Sequence, residues 1–263
     1  MMVHVFDGEL AELSPWIRGE VEFAAPVSQG ALGKPVRRAQ EWLNLHGTGV
    51  VVDGAFGPAT RRAVTEFQSR SGLEQTGEVD EATFGQFVAP MVDVLRQRLT
   101  ASVPLADALV EYARAHLAAR PREVGGPNTG PWVRLYMNGR QGEAFAWCAG
   151  FVTFLLEQAA QSLEMDMPLP GSVSTDALAL QAEHAGVLLT GDGAARKITP
   201  GCLFLIRCVD SDWNHTGIVT AIYDESFSTI EGNTNDAGQR EGVEVCARTR
   251  AFHGNPPKDF IHF

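Results

Sequence analysis

Positive charge is scarce in this chain. Its 21 lysines and arginines face 32 aspartates and glutamates, for a formal net charge of −11. Non-specific nucleic-acid binding needs clustered cations to displace counterions from phosphates, so no nucleic-acid partner is expected. Long apolar runs are also missing. No stretch reaches the roughly 18 apolar residues of a membrane span. The first residues, MMVHVFDGELAELSPW, lack a basic segment followed by an apolar core. That reads as synthesis in the cytoplasm without a secretory signal. Cysteine is sparse: Cys148, Cys202, Cys208 and Cys246 include no CxxC pair, which argues against a zinc or thioredoxin-type site. A dense disulfide framework is not expected in so long a chain. No Asp-x-Asp-x-Asp run precedes Cys148. Asp210 and Asp212 share a loop but fall short of the roughly six oxygens that calcium takes. No metal and no other cofactor is expected.

What is present is an ordinary globular composition, 44% hydrophobic and 20% charged in 263 residues. That length suits one large domain or two smaller ones. Residues 1–25 give a mixed pattern without a clear role. Three helical patterns follow. PVRRAQEWLNLHG places Val36, Ala39 and Leu43 on one face, with Pro35 at a helix start and Gly47 at its end. Asp53-Gly54 marks a turn. A second helix starts at Pro58, carries Ala63, Val64 and Phe67, and ends at Gly72. Asp80 is an N-cap for a third, with Phe84, Phe87 and Val88 at helical spacing.

These residues carry a resemblance. Val36…Gln40-x-x-Leu43, then Asp53-Gly54-x-x-Gly57-Pro58-x-Thr60-x-x-Ala63-Val64-x-x-Phe67-Gln68, then Gly77-Glu78-Val79-Asp80-x-x-Thr83, is similar to the peptidoglycan-binding domain type 1 repeat. The resemblance implies a three-helix module over residues 26–91 that binds bacterial peptidoglycan. It does not say which side chains touch the ligand.

Residues 92–103 read as a linker, and a second domain, 104–263, begins with the helical pattern LADALVEYARAHLAA. PREVGGPNTGPW is a long irregular loop. Helical residues continue to about Gln161, and one more helix lies within GSVSTDALALQAEHAGV. From Gly201 onward, CLFLIRC, TGIVTAIY, FSTIEG, GVEVCART and DFIHF read as short antiparallel strands. Helices followed by a run of strands predict an α+β fold.

Cys148 begins a helix in which Cys148, Phe151, Val152, Leu155 and Ala159 form one stripe. That stripe must pack on the later strands, which leaves the sulfur where a helix N-terminus meets the sheet. Free N–H groups and partial positive charge at such an end favour thiolate, the nucleophilic form. They can also hold the oxyanion formed when an acyl carbonyl is attacked. The other three cysteines fall in predicted strands and read as buried reduced thiols.

A cysteine nucleophile needs a base. His4, His46, His116, His184, His253 and His262 sit in the leader, the first module, mid-helix, a helix end, a turn and the last strand, and read as structural or solvated. His215 stands at the head of the strand in WNHTGIVTAIY, where a side chain can point at the nucleophile helix. A hairpin through Asp224-Glu225-Ser226 would bring Glu231 near it. Glu231 and Asn233 share a face in extended chain, so either could accept from the imidazole, and Asn233 could also donate to substrate or oxyanion.

The order of Cys148, His215-x-Gly217-Ile218-Val219 and Glu231-Gly232-Asn233-Thr234 resembles the CHAP family, the cysteine- and histidine-dependent amidohydrolases/peptidases of papain-like fold. Gly125-Gly126-Pro127-Asn128-Thr129-Gly130-Pro131 and Trp147-Cys148-Ala149-Gly150-Phe151 are also typical. The chain departs at Gly201-Cys202, where the family commonly has Gly-Asp. The related NlpC-type peptidases usually show Asp-Cys-Ser-Gly at the nucleophile, unlike Trp147-Cys148-Ala149-Gly150.

The resemblance implies cleavage of a peptidoglycan amide by Cys148, His215 and Glu231, with Asn233 assisting and Asn128, Trp147 and Trp213 as candidate substrate contacts. The bond would be that of an N-acetylmuramoyl-L-alanine amidase or of a stem-peptide endopeptidase. A silent wall-binding protein, or an amidase or acyltransferase for a non-wall amide, are the competing readings. Without an export signal, the expected contexts are a phage-type lysin or an injected antibacterial effector acting on the wall. The latter implies an immunity protein or secretion-machine partner.

Overall fold

A computed structural model describes residues 12–191, 193–209, 212–235 and 242–263. His4, with residues 1–11 of the leader, and Asp210 lie outside those residues. Among the described residues there are eight α-helices, followed by an antiparallel sheet. None of the helices is long and apolar enough to cross a membrane.

Helix α1 (Pro15–Val21) lies within the leader and buries Ile17, Glu20 and Val21. The three predicted helices are α2 (Lys34–Leu45), α3 (Pro58–Arg70) and α4 (Glu81–Arg96). Each starts where sequence chemistry directs it. Prolines occupy the first turns of α2 and α3, where a missing N–H costs nothing. The Asp80 carboxylate accepts from the Thr83 N–H at 2.8 Å and caps α4.

Two buried glutamines tie these helices to their turns. Gln40 accepts from the Gly54 N–H at 2.8 Å and donates to Thr60 at 3.1 Å. Gln68 accepts from the Gly77 N–H at 2.9 Å and donates to Thr83 at 2.9 Å. Burial makes each of these bonds costly to lose, because a stranded amide pays its full desolvation.

The stretch read as a linker differs from expectation. Helix α4 runs into it as far as Arg96, and the remainder is tied down. Tyr112 donates to the Gln97 carbonyl at 2.9 Å, and Ser162 Oγ accepts from the Leu99 N–H at 2.6 Å. The helical module and the second part of the chain share one apolar core.

An ion-pair cluster lies on the same seam. Arg134 meets Glu20 of α1 at 2.7 Å and Glu41 of α2 at 2.7 Å, with all three side chains largely buried. Arg134 belongs to α6 (Pro131–Tyr136), a short helix within the region read as loop.

Helices α5 (Leu105–Ala119) and α7 (Cys148–Ser162) pack on each other, and α7 also packs on the sheet. Every member of the predicted stripe on α7 is buried. Helix α8 (Thr175–His184) begins at the Ser174 cap. His116 on α5 is fully buried rather than solvated. Its ring nitrogens meet Tyr136 Oη and Gln158 Oε1, both at 2.8 Å.

The strands are β1 (Leu188–Leu189), β2 (Leu203–Val209), β3 (Asp212–Ile222), β4 (Ser226–Thr234), β5 (Glu244–Ala251) and β6 (Lys258–Ile261), in the order β1-β6-β2-β3-β4-β5. Only two residues long, β1 carried no alternation to read. Phe204, Phe227 and Phe260 fill a second small core on the sheet.

Candidate active site

Cys148 is the first residue of α7, and its side chain is buried at 3% exposure. His215 lies inside β3 rather than at its head, because β3 begins at Asp212. The β3–β4 hairpin turns where expected and pairs Ile218 with Ile230. That register carries Glu231 to His215, with Glu231 Oε2 2.8 Å from His215 Nε2. The other ring nitrogen, Nδ1, is buried and engaged by no oxygen or nitrogen.

Glycine makes the Glu231–His215 contact possible. A Cβ on Gly217 would stand 2.7 Å from Glu231 Cγ and 2.9 Å from the Ile230 carbonyl. The bare backbone of β3 therefore leaves the channel through which Glu231 reaches His215. Replacing Gly217 by Ala is expected to destabilise the fold by about 1–3 kcal/mol, as overpacking does. Chemical denaturation would measure the loss.

Glu231 has a second cation that sequence reasoning missed. Arg250 of β5 donates to it through both Nε, at 2.6 Å, and Nη2, at 2.5 Å. Thr229 adds a hydroxyl donor at 2.5 Å. The signal in the sequence was alternation: Cys246 pairs with Glu231, and Arg248 and Arg250 follow in phase with Cys246. Thr175, the first residue of α8, was also missed. Its Oγ1 stands 4.0 Å from Cys148 Sγ.

The electrostatics follow from these contacts. Burial pushes the Cys148 thiol up. Hydrogen bonding and charge from His215, with help from Thr175 and the Thr216 backbone, outweigh it, and the thiol lies below its ordinary value. Burial pulls His215 down, but Cys148 and Glu231 together raise it to about 9. Burial would raise Glu231, yet Arg250 and His215 hold it at about 2. Two sister thiols shift the opposite way: burial raises Cys202, and it raises Cys246 to about 12. Cys208, expected to be buried, is exposed, because it lies near the open end of β2.

These opposed shifts favour a thiolate–imidazolium pair. Alkylation of Cys148 by iodoacetamide, followed by peptide mass spectrometry, should reach half its maximal rate at a pH below the ordinary cysteine value. In His215→Ala the burial remains and the opposing interactions vanish, so that midpoint should move upward.

Asn233 does not serve the imidazole. Its backbone is left-handed, at φ 55°, which turns the amide off the face it would share with Glu231. Its Oδ1 accepts from the Trp147 N–H at 2.9 Å, and its Nδ2 donates to the Gly242 carbonyl at 2.7 Å. It fixes the residue that precedes Cys148.

Two candidate substrate contacts are likewise internal. Trp147 is 0% exposed, stacks on Tyr136 with ring centroids 5.5 Å apart, and donates to Glu123. Asn128 is buried, donating to the Glu143 carbonyl and accepting from Asn233. Trp213 does line the cleft. This cleft, about 350 Å³, is lined by Cys148, by Met137, Arg140 and residues 144–146, and by residues 173–176, Cys208 and residues 212–214. No group of three or more metal-ligating side chains stands together among the described residues.

Comparison with known proteins bears on the N-terminal half. The family model of a peptidoglycan binding domain matches residues 33–86, the span of α2, α3 and the start of α4. The zinc D-Ala-D-Ala carboxypeptidase of Streptomyces albus G is 40% identical over 67 residues, 24% of this chain. The chain spans about a quarter of the length of that relative, 26%. The family match places a peptidoglycan-binding type 1 module in the N-terminal region.

Proposed function

We propose that this protein is a peptidoglycan hydrolase. The helical module holds it on the wall, and a papain-like CHAP-type domain cleaves an amide there. The observation that carries this reading is the buried chain Cys148, His215, Glu231 and Arg250 at the floor of an open cleft. In this mechanism the Cys148 thiolate attacks the amide carbonyl. The oxyanion forms against the free N–H groups at the start of α7. The amine leaves with the proton held by His215. Water, deprotonated by His215, then hydrolyses the thioester and releases the carboxylate. Glu231 holds the imidazole through Nε2, which leaves Nδ1 for the thiol.

A module matching a wall-binding family beside this cleft supports the wall as the source of the amide, since tethering raises local substrate concentration. The relative that acts on D-Ala-D-Ala favours the same polymer. Delivery would follow the route of a phage-type lysin or an injected effector. The test is digestion of purified sacculi followed by mass spectrometry of the muropeptides. New amino and carboxyl termini are expected, and they identify the bond as the amidase or the endopeptidase one. Intact sacculi after prolonged digestion would remove the hydrolytic reading.

A further inference from the structure

The lining of the cleft at Cys148 carries charges of both signs. Arg140 is exposed, and its guanidinium has no hydrogen-bond or ion-pair partner among the described residues. Asp212 and Asp176 come from two other segments of the lining. The two acids are neighbours, because Asp176 Oδ1 accepts from the Trp213 N–H at 2.6 Å. Asp212 is exposed, and its carboxylate has no partner among the described residues. Elsewhere in this cleft the lining carries no formal charge, as at Ala144, Phe145, Val173, Thr175 and Asn214.

From this arrangement we infer that the cleft selects a zwitterionic peptide, resting on the hydrolase reading above. The ligand presents an ammonium to Asp212 and Asp176 and a carboxylate to Arg140. Neutral glycan offers neither charge, so it gains nothing from these side chains. Stem peptides of peptidoglycan offer both, through the side-chain amine of a diamino acid and their free carboxylates. Complementary charge fixes the register of such a peptide and rejects wrong ones, because an unmatched charge in a partly enclosed site loses solvation without return. The pairing is salt-sensitive, since Arg140 and Asp212 face solvent.

Direct binding tests this without turnover. The probe is a soluble stem tetrapeptide with free amines and carboxylates, titrated calorimetrically into the full chain carrying Cys148→Ala. Acetylating the peptide's amines should weaken binding about fivefold, the upper range for a solvent-facing pair. Asp212→Asn should bind the free-amine peptide that weakly and lose no more on acetylation. Arg140→Gln should behave the same way toward amidation of the carboxylates. Equal affinities for all forms, penalties that simply add, or no binding at all would overturn the inference. Wild-type protein is assayed for amine release from sacculi alongside. Charge-dependent binding without amine release would sink the hydrolase reading and leave the selectivity standing.

Discussion

Alanine in place of Cys148 is expected to cut the release of new amines from purified sacculi by at least about a thousandfold, while sedimentation with sacculi stays unchanged. The size follows from the role: without sulfur there is no thioester, and His215 and Glu231 are left polarising nothing. The fold should persist, because one buried sulfur against Thr175 leaves only a small gap, costing about 1 kcal/mol. Retained sedimentation separates a dead enzyme from an unfolded one, since wall binding resides in the helical module. His215→Ala should lose release to a similar degree. Wild-type-like release by both variants would leave the chain an amidase using other groups.

Arg134→Ala is expected to destabilise the chain by about 3–5 kcal/mol. Its guanidinium bonds both oxygens of Glu20, at 2.7 and 2.8 Å, and reaches Glu41 at 2.7 Å. Removing it strands two buried carboxylates, and Arg38, 3.3 Å from Glu20, partners only one of them. Combining Arg134→Met with Glu20→Gln and Glu41→Gln should restore most of the loss, because the penalty comes from unpaired charge rather than from the missing pair. Urea denaturation followed by tryptophan fluorescence would measure both. The same clamp joins α1, α2 and α6, so Arg134→Ala should also split a shared transition into two, the module's and the sheet domain's. An unchanged midpoint and a single transition would show that the seam is held by apolar packing alone.

Much of this was legible because it rested on local chemistry. Proline, Asp80 and the Asp53-Gly54 turn write the helical module into short stretches of chain. The hairpin from β3 to β4 follows from alternation and a polar turn, and with it the meeting of His215 and Glu231. Tertiary contact hid the rest. Arg250 reaches Glu231 from the neighbouring strand, and alternation with Cys246 alone does not tell which arginine turns inward. Asn233 was misread because a left-handed residue breaks the two-residue periodicity on which the shared face depended. Trp147 and Asn128 were read as substrate contacts because they flank the nucleophile and a glycine-rich loop. Their burial came from a stack with Tyr136 and a network around Glu123, both distant in sequence. The linker failed as a linker because Tyr112 and Ser162 hold its backbone.

The glutamine knots at Gln40 and Gln68 repeat one design. In both, the amide oxygen takes a glycine N–H and the amide nitrogen finds a threonine six positions after that glycine. The residues that make this module recognisable are thus spent inside it, stitching each helix to its turn. Recognition of the wall is left to side chains outside the pattern, and these can change without disturbing the stitches. Such a module is a chassis: its outward faces can be rewritten for a different wall chemistry while the frame that marks its kinship stays the same.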